Sequence, residues 1–169
     1  QSINPIMILI LVPTFSYFIY PFMGRFFQVT PLRKISIGLF LAVPSFVLVG
    51  LVQSWLDAGQ VANISWQLIA YAILTASEVL VSITCLEFSY TQAPNAMKSL
   101  IMGFFMLSVS LGNIFTAAVN KFIQNPDGSS KLAGASYFYF FAGLMLITSL
   151  LFLLVVKYYI PKTYLHEEK

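Results

Sequence analysis

Cysteine and histidine occur once each, as Cys85 and His166, and charge is scarce: nine basic and six acidic residues in a chain of 169. A lone cysteine excludes an internal disulfide framework, and one cysteine with one histidine cannot build a multi-ligand metal site, so no metal or other cofactor is expected. Charged residues make up 9% of the chain, against about 25% in ordinary soluble domains, which excludes a solvated globule. The basic residues are scattered among the ends of apolar runs, with no basic stripe interleaved with stacking aromatics, so a nucleic-acid partner is excluded too. Also missing is a basic start followed by a short apolar core and a small-residue cleavage site. The chain opens on Gln1 rather than methionine and reads as a piece of a longer protein.

What fills the chain is apolar: 59% hydrophobic residues and a mean hydropathy of +0.84. A helix that spans the hydrocarbon core needs about 20 apolar residues. Five runs of that length are bounded by charge, glycine or proline, roughly 4–24, 35–54, 66–90, 97–119 and 137–159. A membrane barrel would need segments of about 10 residues that alternate apolar and polar, whereas "LIMGFFMLSV" and "LMLITSLLFLLVV" are apolar on every side. The fold class expected is all-α integral membrane, with five transmembrane helices.

Five spans place their connections alternately on two sides. One side collects Arg25, Arg33, Lys34, Lys98, Lys157, Lys162 and Lys169, the other only Lys121 and Lys131. That asymmetry in short connections is what the positive-inside rule acts on, so the first side, with the tail "KYYIPKTYLHEEK", is expected to be cytoplasmic. The Asn63–Ser65 sequon falls in an outside loop and matches a pattern short enough to occur by chance. Asn125, Pro126, Asp127 and Gly128 form a turn signal, and Pro161 ends the last helix.

Pro13, Pro21, Pro44, Gly103, Gly112 and Asn113 interrupt the apolar runs, as suits helices that bend, although proline and glycine are commoner in membrane helices generally. Glu78 is the sharper interruption. At the middle of the third run an acid costs roughly 3 kcal/mol to insert, so it must face a partner or a water-filled cavity. No lysine or arginine lies at mid-depth in any of the five runs to pair with it. Tyr71, two turns earlier, shares its face. Glu87, nine residues later or about 2.5 turns, points the opposite way, so the two carboxylates form no acid/base dyad. Glu87 lies close to Lys98 and reads as structural or gating, with an ion pair or a loop hydrogen bond as its expected bond. The aromatic "YFYFF" at 137–141 reads as an interfacial belt, and Ser108, Ser110, Asn113 and Asn120 as bonds between helices.

The string "CLEFSYTQAPNAMKS", residues 85–99, closely resembles the "GLEFSYSQAP…MKS" signature of the proton-dependent oligopeptide transporter (POT/PTR) family of the major facilitator superfamily. "NPIMILILVPTFSYFIYP" and "PLRKISIGLF" are similar to its eighth helix and the connection that follows, and "SLGN" at 110–113 fits its eleventh. The resemblance implies that the five helices are helices eight to twelve, part of the C-terminal half of a fold with two six-helix halves and a central site reached by alternating access. It implies proton-coupled symport of di- and tripeptides, in which Glu78 receives the peptide's free amine as a charge-assisted pair. Tyr71 would be a polar wall and Asn4 a hydrogen-bonding partner of the peptide backbone. Where peptide-carrying relatives have a tryptophan this chain has Phe105, which keeps an aromatic wall and loses the indole donor. Pro94 and Lys98, with Glu87, fall in the signature as structural or gating residues.

The implied partners are a small peptide, protons, membrane lipid and the N-terminal helices of the same transporter; the implied location is the plasma membrane. Counting back about 30 Å from Gly24 puts Asn4 near the outer edge of the bilayer, so either the helix extends inward past Gly24 or the role that the resemblance gives Asn4 does not carry over. The alternatives are a relative carrying another solute, such as an anion, which a carboxylate at Glu78 would repel, and a non-transporting membrane interaction module. An intramembrane enzyme is disfavoured: Glu78 has no second carboxylate on its face and no histidine at depth.

Overall fold

A computed structural model of the chain describes residues 3–26, 28–125 and 130–159. The turn signal at Asn125–Gly128 beyond its first residue, Pro161, His166 and the basic residues of the tail lie outside the described residues. The helices are α1 (Ile3–Thr14), α2 (Tyr20–Gly24), α3 (Pro31–Asp57), α4 (Ile64–Glu78), α5 (Thr84–Thr91), α6 (Lys98–Ile123) and α7 (Ala135–Tyr158). Single π-turns, Phe15–Ile19 and Val79–Ile83, join α1 to α2 and α4 to α5. Five helical stretches are long and apolar enough to cross a membrane: Asn4–Gly24, Pro31–Asp57, Ile64–Thr91, Lys98–Ile123 and Ala135–Tyr158. They match the five expected spans, with ends displaced by capping.

The second span begins four residues earlier than hydropathy alone suggests. Pro31 occupies the first turn, where its missing N–H costs nothing, and the Thr30 hydroxyl accepts from the Arg33 N–H at 3.4 Å. Its far end stops at Gly59, whose φ of +75° is the left-handed conformation that closes helices. The third span is capped by Asn63, whose Oδ1 accepts from the Ser65 N–H at 3.1 Å. The sequon asparagine therefore has a structural task in its loop.

Two compact units divide the chain, Gln1–Thr84 with Gly134–Tyr158, and Cys85–Ala133 with Tyr159–Lys169. In the first, α3 packs along both α4 and α7. Small residues let the backbones approach, as membrane helix packing requires. Ser77 Oγ donates to the Gly38 carbonyl at 2.8 Å and Ser45 Oγ to the Ala70 carbonyl at 2.7 Å, both buried. Phe15, Val79 and Leu80 form a buried cluster in which the two π-turns meet, flanked by Leu11, Ile37 and Leu41. On the other side Gly50 faces the Tyr139 ring, and Phe46 stacks on Phe141 at 6.4 Å. The "YFYFF" run is thus partly a packing seam: Tyr139 and Phe141 meet α3, although Tyr139, like Phe140, stays 40% exposed.

The second unit holds α5, a 3₁₀ turn at Asn95–Met97 and α6. No residue of α6 is buried. Ser108 and Ser110, expected to bond between helices, instead donate to Phe105 and Met106 carbonyls of their own helix, at 2.7 and 3.1 Å. A serine hydroxyl inside a helix finds the carbonyl three or four residues back before it finds a neighbour.

Candidate functional site

Tyr71, Thr75 and Glu78 succeed one another at four and three residues along α4, the spacing that stacks side chains on one helical face. The next residues, Val79 and Leu80, are each only 2% exposed and turn into the core. Glu78 itself is exposed. Across from this face stands α1, and there Asn4 Nδ2 donates to Glu78 Oε2 at 3.2 Å. Thr75, 1% exposed, donates towards Asn4 Oδ1 at 3.2 Å and towards the Tyr71 carbonyl at 2.9 Å, its single proton shared between them.

The bond to Glu78 fixes the asparagine amide in one orientation: a carboxylate only accepts, so the nitrogen faces Glu78 and the oxygen is turned to the Thr75 hydroxyl. The Asn4 bond occupies one carboxylate oxygen. Oε1 has no hydrogen-bond donor among the described residues, and no lysine or arginine among them reaches the group. What results is an acid held by a neutral amide, with a negative charge that nothing in the described residues balances.

The axial count that put Asn4 near the outer edge is therefore corrected: Asn4 lies at the level of Glu78. The first span starts at that level and, at about 1.5 Å per residue, runs about 30 Å to Gly24. Thr75 was passed over by the sequence reading, although it sits between Tyr71 and Glu78 on the shared face and that spacing alone would have found it.

Phe105, Glu87, Pro94 and Lys98 belong to the second unit. Phe105 is half-buried on α6. Glu87 is exposed on α5 and, among the described residues, makes neither the ion pair nor the loop hydrogen bond expected of it. The Lys98 ammonium lies 4.4 Å from the centre of the Tyr90 ring, a cation–π contact. Pro94 caps the 3₁₀ turn, its carbonyl accepting from the Met97 N–H at 2.8 Å. In the same signature Gln92 Oε1 is buried with no hydrogen-bond partner among the described residues. The phase reckoned from Glu78 to Glu87 assumed an unbroken α-helix, and the wider π-turn at Val79–Ile83 intervenes.

Comparison with known proteins agrees with this architecture. Residues 1–152 match the POT family, PTR2. The rat protein "Solute carrier family 15 member 2" is 41% identical over 99 residues, covering 59% of this chain and 13% of that protein. "Peptide transporter PTR_A" of Candidozyma auris is 32% identical over 163 residues, covering 86% of this chain and 28% of its own length. Among solved structures, an auto-inhibited POT family peptide transporter superimposes with a TM-score of 0.90 at 31% identity, covering 99% of this chain and 34% of that one. The POT family transporter PepTSo gives 0.83 at 35% identity, with 93% and 32% covered. The chain thus spans about a third of these structures and less of the curated relatives.

Proposed function

This chain belongs to the POT family, and on that premise we propose that it supplies part of the substrate site of a peptide transporter, with Glu78 receiving the amino terminus of a di- or tripeptide. One observation carries the reading. The Glu78 carboxylate is open, bonded to the neutral Asn4, and unmatched by any cation among the described residues. An ammonium there gains a charge-assisted bond, and each ion offsets the other's desolvation. Asn4, aimed by Thr75, contributes to the peptide's hydrogen bonding, and Tyr71 supplies a polar wall. Phe105 lines the side-chain pocket; Glu87, Pro94 and Lys98 act where α5 turns into α6, as gating or structural residues.

The same reading extends to proton-coupled symport by alternating access in the plasma membrane, with the basic flanks and the tail on the cytoplasmic side. Transport of an anion is disfavoured, because the unmatched carboxylate would repel it. Uptake of a labelled dipeptide by the full-length polypeptide tests the amine assignment. A competing dipeptide with a free amine should inhibit roughly 10- to 100-fold better than its N-acetylated form, the worth of one hydrogen bond to a charged group. Equal inhibition by the two removes the assignment.

Thr75→Val keeps the side-chain shape and removes the hydroxyl that aims Asn4. Losing one net hydrogen bond, about 1 kcal/mol, should raise the KM for dipeptide roughly fivefold, with the maximal rate and surface amount unchanged. A KM identical to wild type would mean that Asn4 needs no such aiming.

A further inference from the structure

An apolar groove of about 450 Å³ opens between α3 and α7, lined by Ser36, Ile37, Phe40, Leu41, Pro44 and Leu153. It has no part in the site at Glu78. Pro44 shapes its far end, since proline offers no N–H to the Phe40 carbonyl a turn below and carries a ring in place of a flexible side chain. The α3 residues of the lining repeat every three or four positions, a single stripe down one helical face.

One turn beyond the lining, both helices turn basic. Arg33 continues the α3 stripe four residues before Ile37, and Lys157 continues the α7 face four residues after Leu153. The close approaches Asp57–Gly134 and Gly50–Tyr139 and the Phe46–Phe141 stack fix an antiparallel register between the two helices. Carried on at equal rise, those three pairs put positions 154 to 158 opposite Arg33, a stretch that includes Lys157. Both side chains are exposed. Arg33 Nη1 donates to the Gln28 carbonyl at 2.9 Å, leaving most of its donors free, and neither cation has an ion pair among the described residues. Lys34 adds a third charge, its ammonium 3.8 Å from the centre of the Tyr20 ring. The first turn of the 27-residue helix α3 adds the positive end of its dipole.

We propose that this groove is a binding site for an anionic phospholipid, with one acyl chain along Ile37, Phe40, Leu41 and Leu153 and the phosphate headgroup between Arg33 and Lys157. An acyl chain suits a shallow groove with an apolar lining. A negative headgroup relieves two like charges held at one level, and basic pockets between membrane helices select such lipids. The assignment is independent of what the transporter carries.

Native mass spectrometry of the full-length polypeptide, mixed with equal amounts of palmitoyl-oleoyl phosphatidylglycerol and phosphatidylcholine, tests it directly because the two lipids differ only in headgroup. The wild type should retain the anionic lipid roughly 25-fold over the neutral one, about fivefold for each basic residue near a membrane surface. The double variant Arg33→Gln/Lys157→Gln should lose the preference, and Lys121→Gln/Lys131→Gln should keep it. Equal retention by the wild type overturns the proposal, with no variant needed. So does a preference that survives in the first double variant or disappears in the second. A preference seen only after Glu167→Gln/Glu168→Gln overturns it as well, because it assigns the cations to the chain's own tail.

Discussion

Glu78→Gln in the full-length polypeptide is expected to reduce dipeptide uptake two to three orders of magnitude, to the background of cells without the transporter, while surface expression stays near wild type. Glutamine preserves length and volume, and its carbonyl can still accept from Asn4 Nδ2, so the bond at 3.2 Å between α1 and α4 survives. Only the charge goes. The peptide ammonium would then be desolvated against a neutral amide, and truncating one partner of a buried charge pair costs about 3 to 5 kcal/mol. Glu78 is exposed within this unit and bonded to no cation among the described residues, so the substitution breaks no ion pair among them. Glu78→Asp should fall between, since the shorter arm withdraws from both Asn4 and the guest. Uptake by Glu78→Gln at the wild-type rate would remove the amine-binding role.

Gly38→Leu is expected to leave no monodisperse protein after extraction, as read by fluorescence-detected size exclusion. A Cβ at Gly38 would stand 2.6 Å from Val81 Cγ2, 2.8 Å from Leu80 Cβ and 3.2 Å from the Ser77 carbonyl oxygen. Val81 could rotate, but a Cβ and a backbone oxygen cannot move without their helix. The helices must separate, which also breaks the buried Ser77–Gly38 hydrogen bond at 2.8 Å. Even Gly38→Ala should lower stability by about 1 to 3 kcal/mol through overpacking. Gly50→Ala is the contrast: its nearest neighbours, at 3.0 to 3.2 Å, are atoms of the Tyr139 ring, which can swing aside, so it should be milder. Gly38→Leu protein that elutes and melts like wild type would refute this account of the crossing.

Particular residues mark how far the sequence could be read. Glu78 stood out because an acid in an apolar run is costly wherever the helix packs, and Tyr71 joined it by spacing alone. Asn4 entered only through resemblance, and a straight axial count put it at the wrong depth. Ser108 and Ser110 looked like interhelical bonds and are not, while Ser45 and Ser77 make those bonds without having been singled out. A serine in an apolar helix reads the same in either case; which carbonyl it meets depends on the neighbouring backbone. The π-turns at Phe15–Ile19 and Val79–Ile83 left no periodic trace, because the runs around them are apolar on nearly every side and few polar residues mark a change of phase.

Taken alone, the order of residues determined how many helices cross, which ends carry the basic charge and where an unbalanced acid sits, because hydropathy, charge and helical phase are properties of short stretches of chain. Tertiary structure alone decided that Asn4 meets Glu78 across 74 positions, that Thr75 meets Asn4 in turn, and that an apolar groove runs between α3 and α7. Those pairings depend on the axial offset between packed helices, and that offset is set by where glycine and serine let two backbones close together.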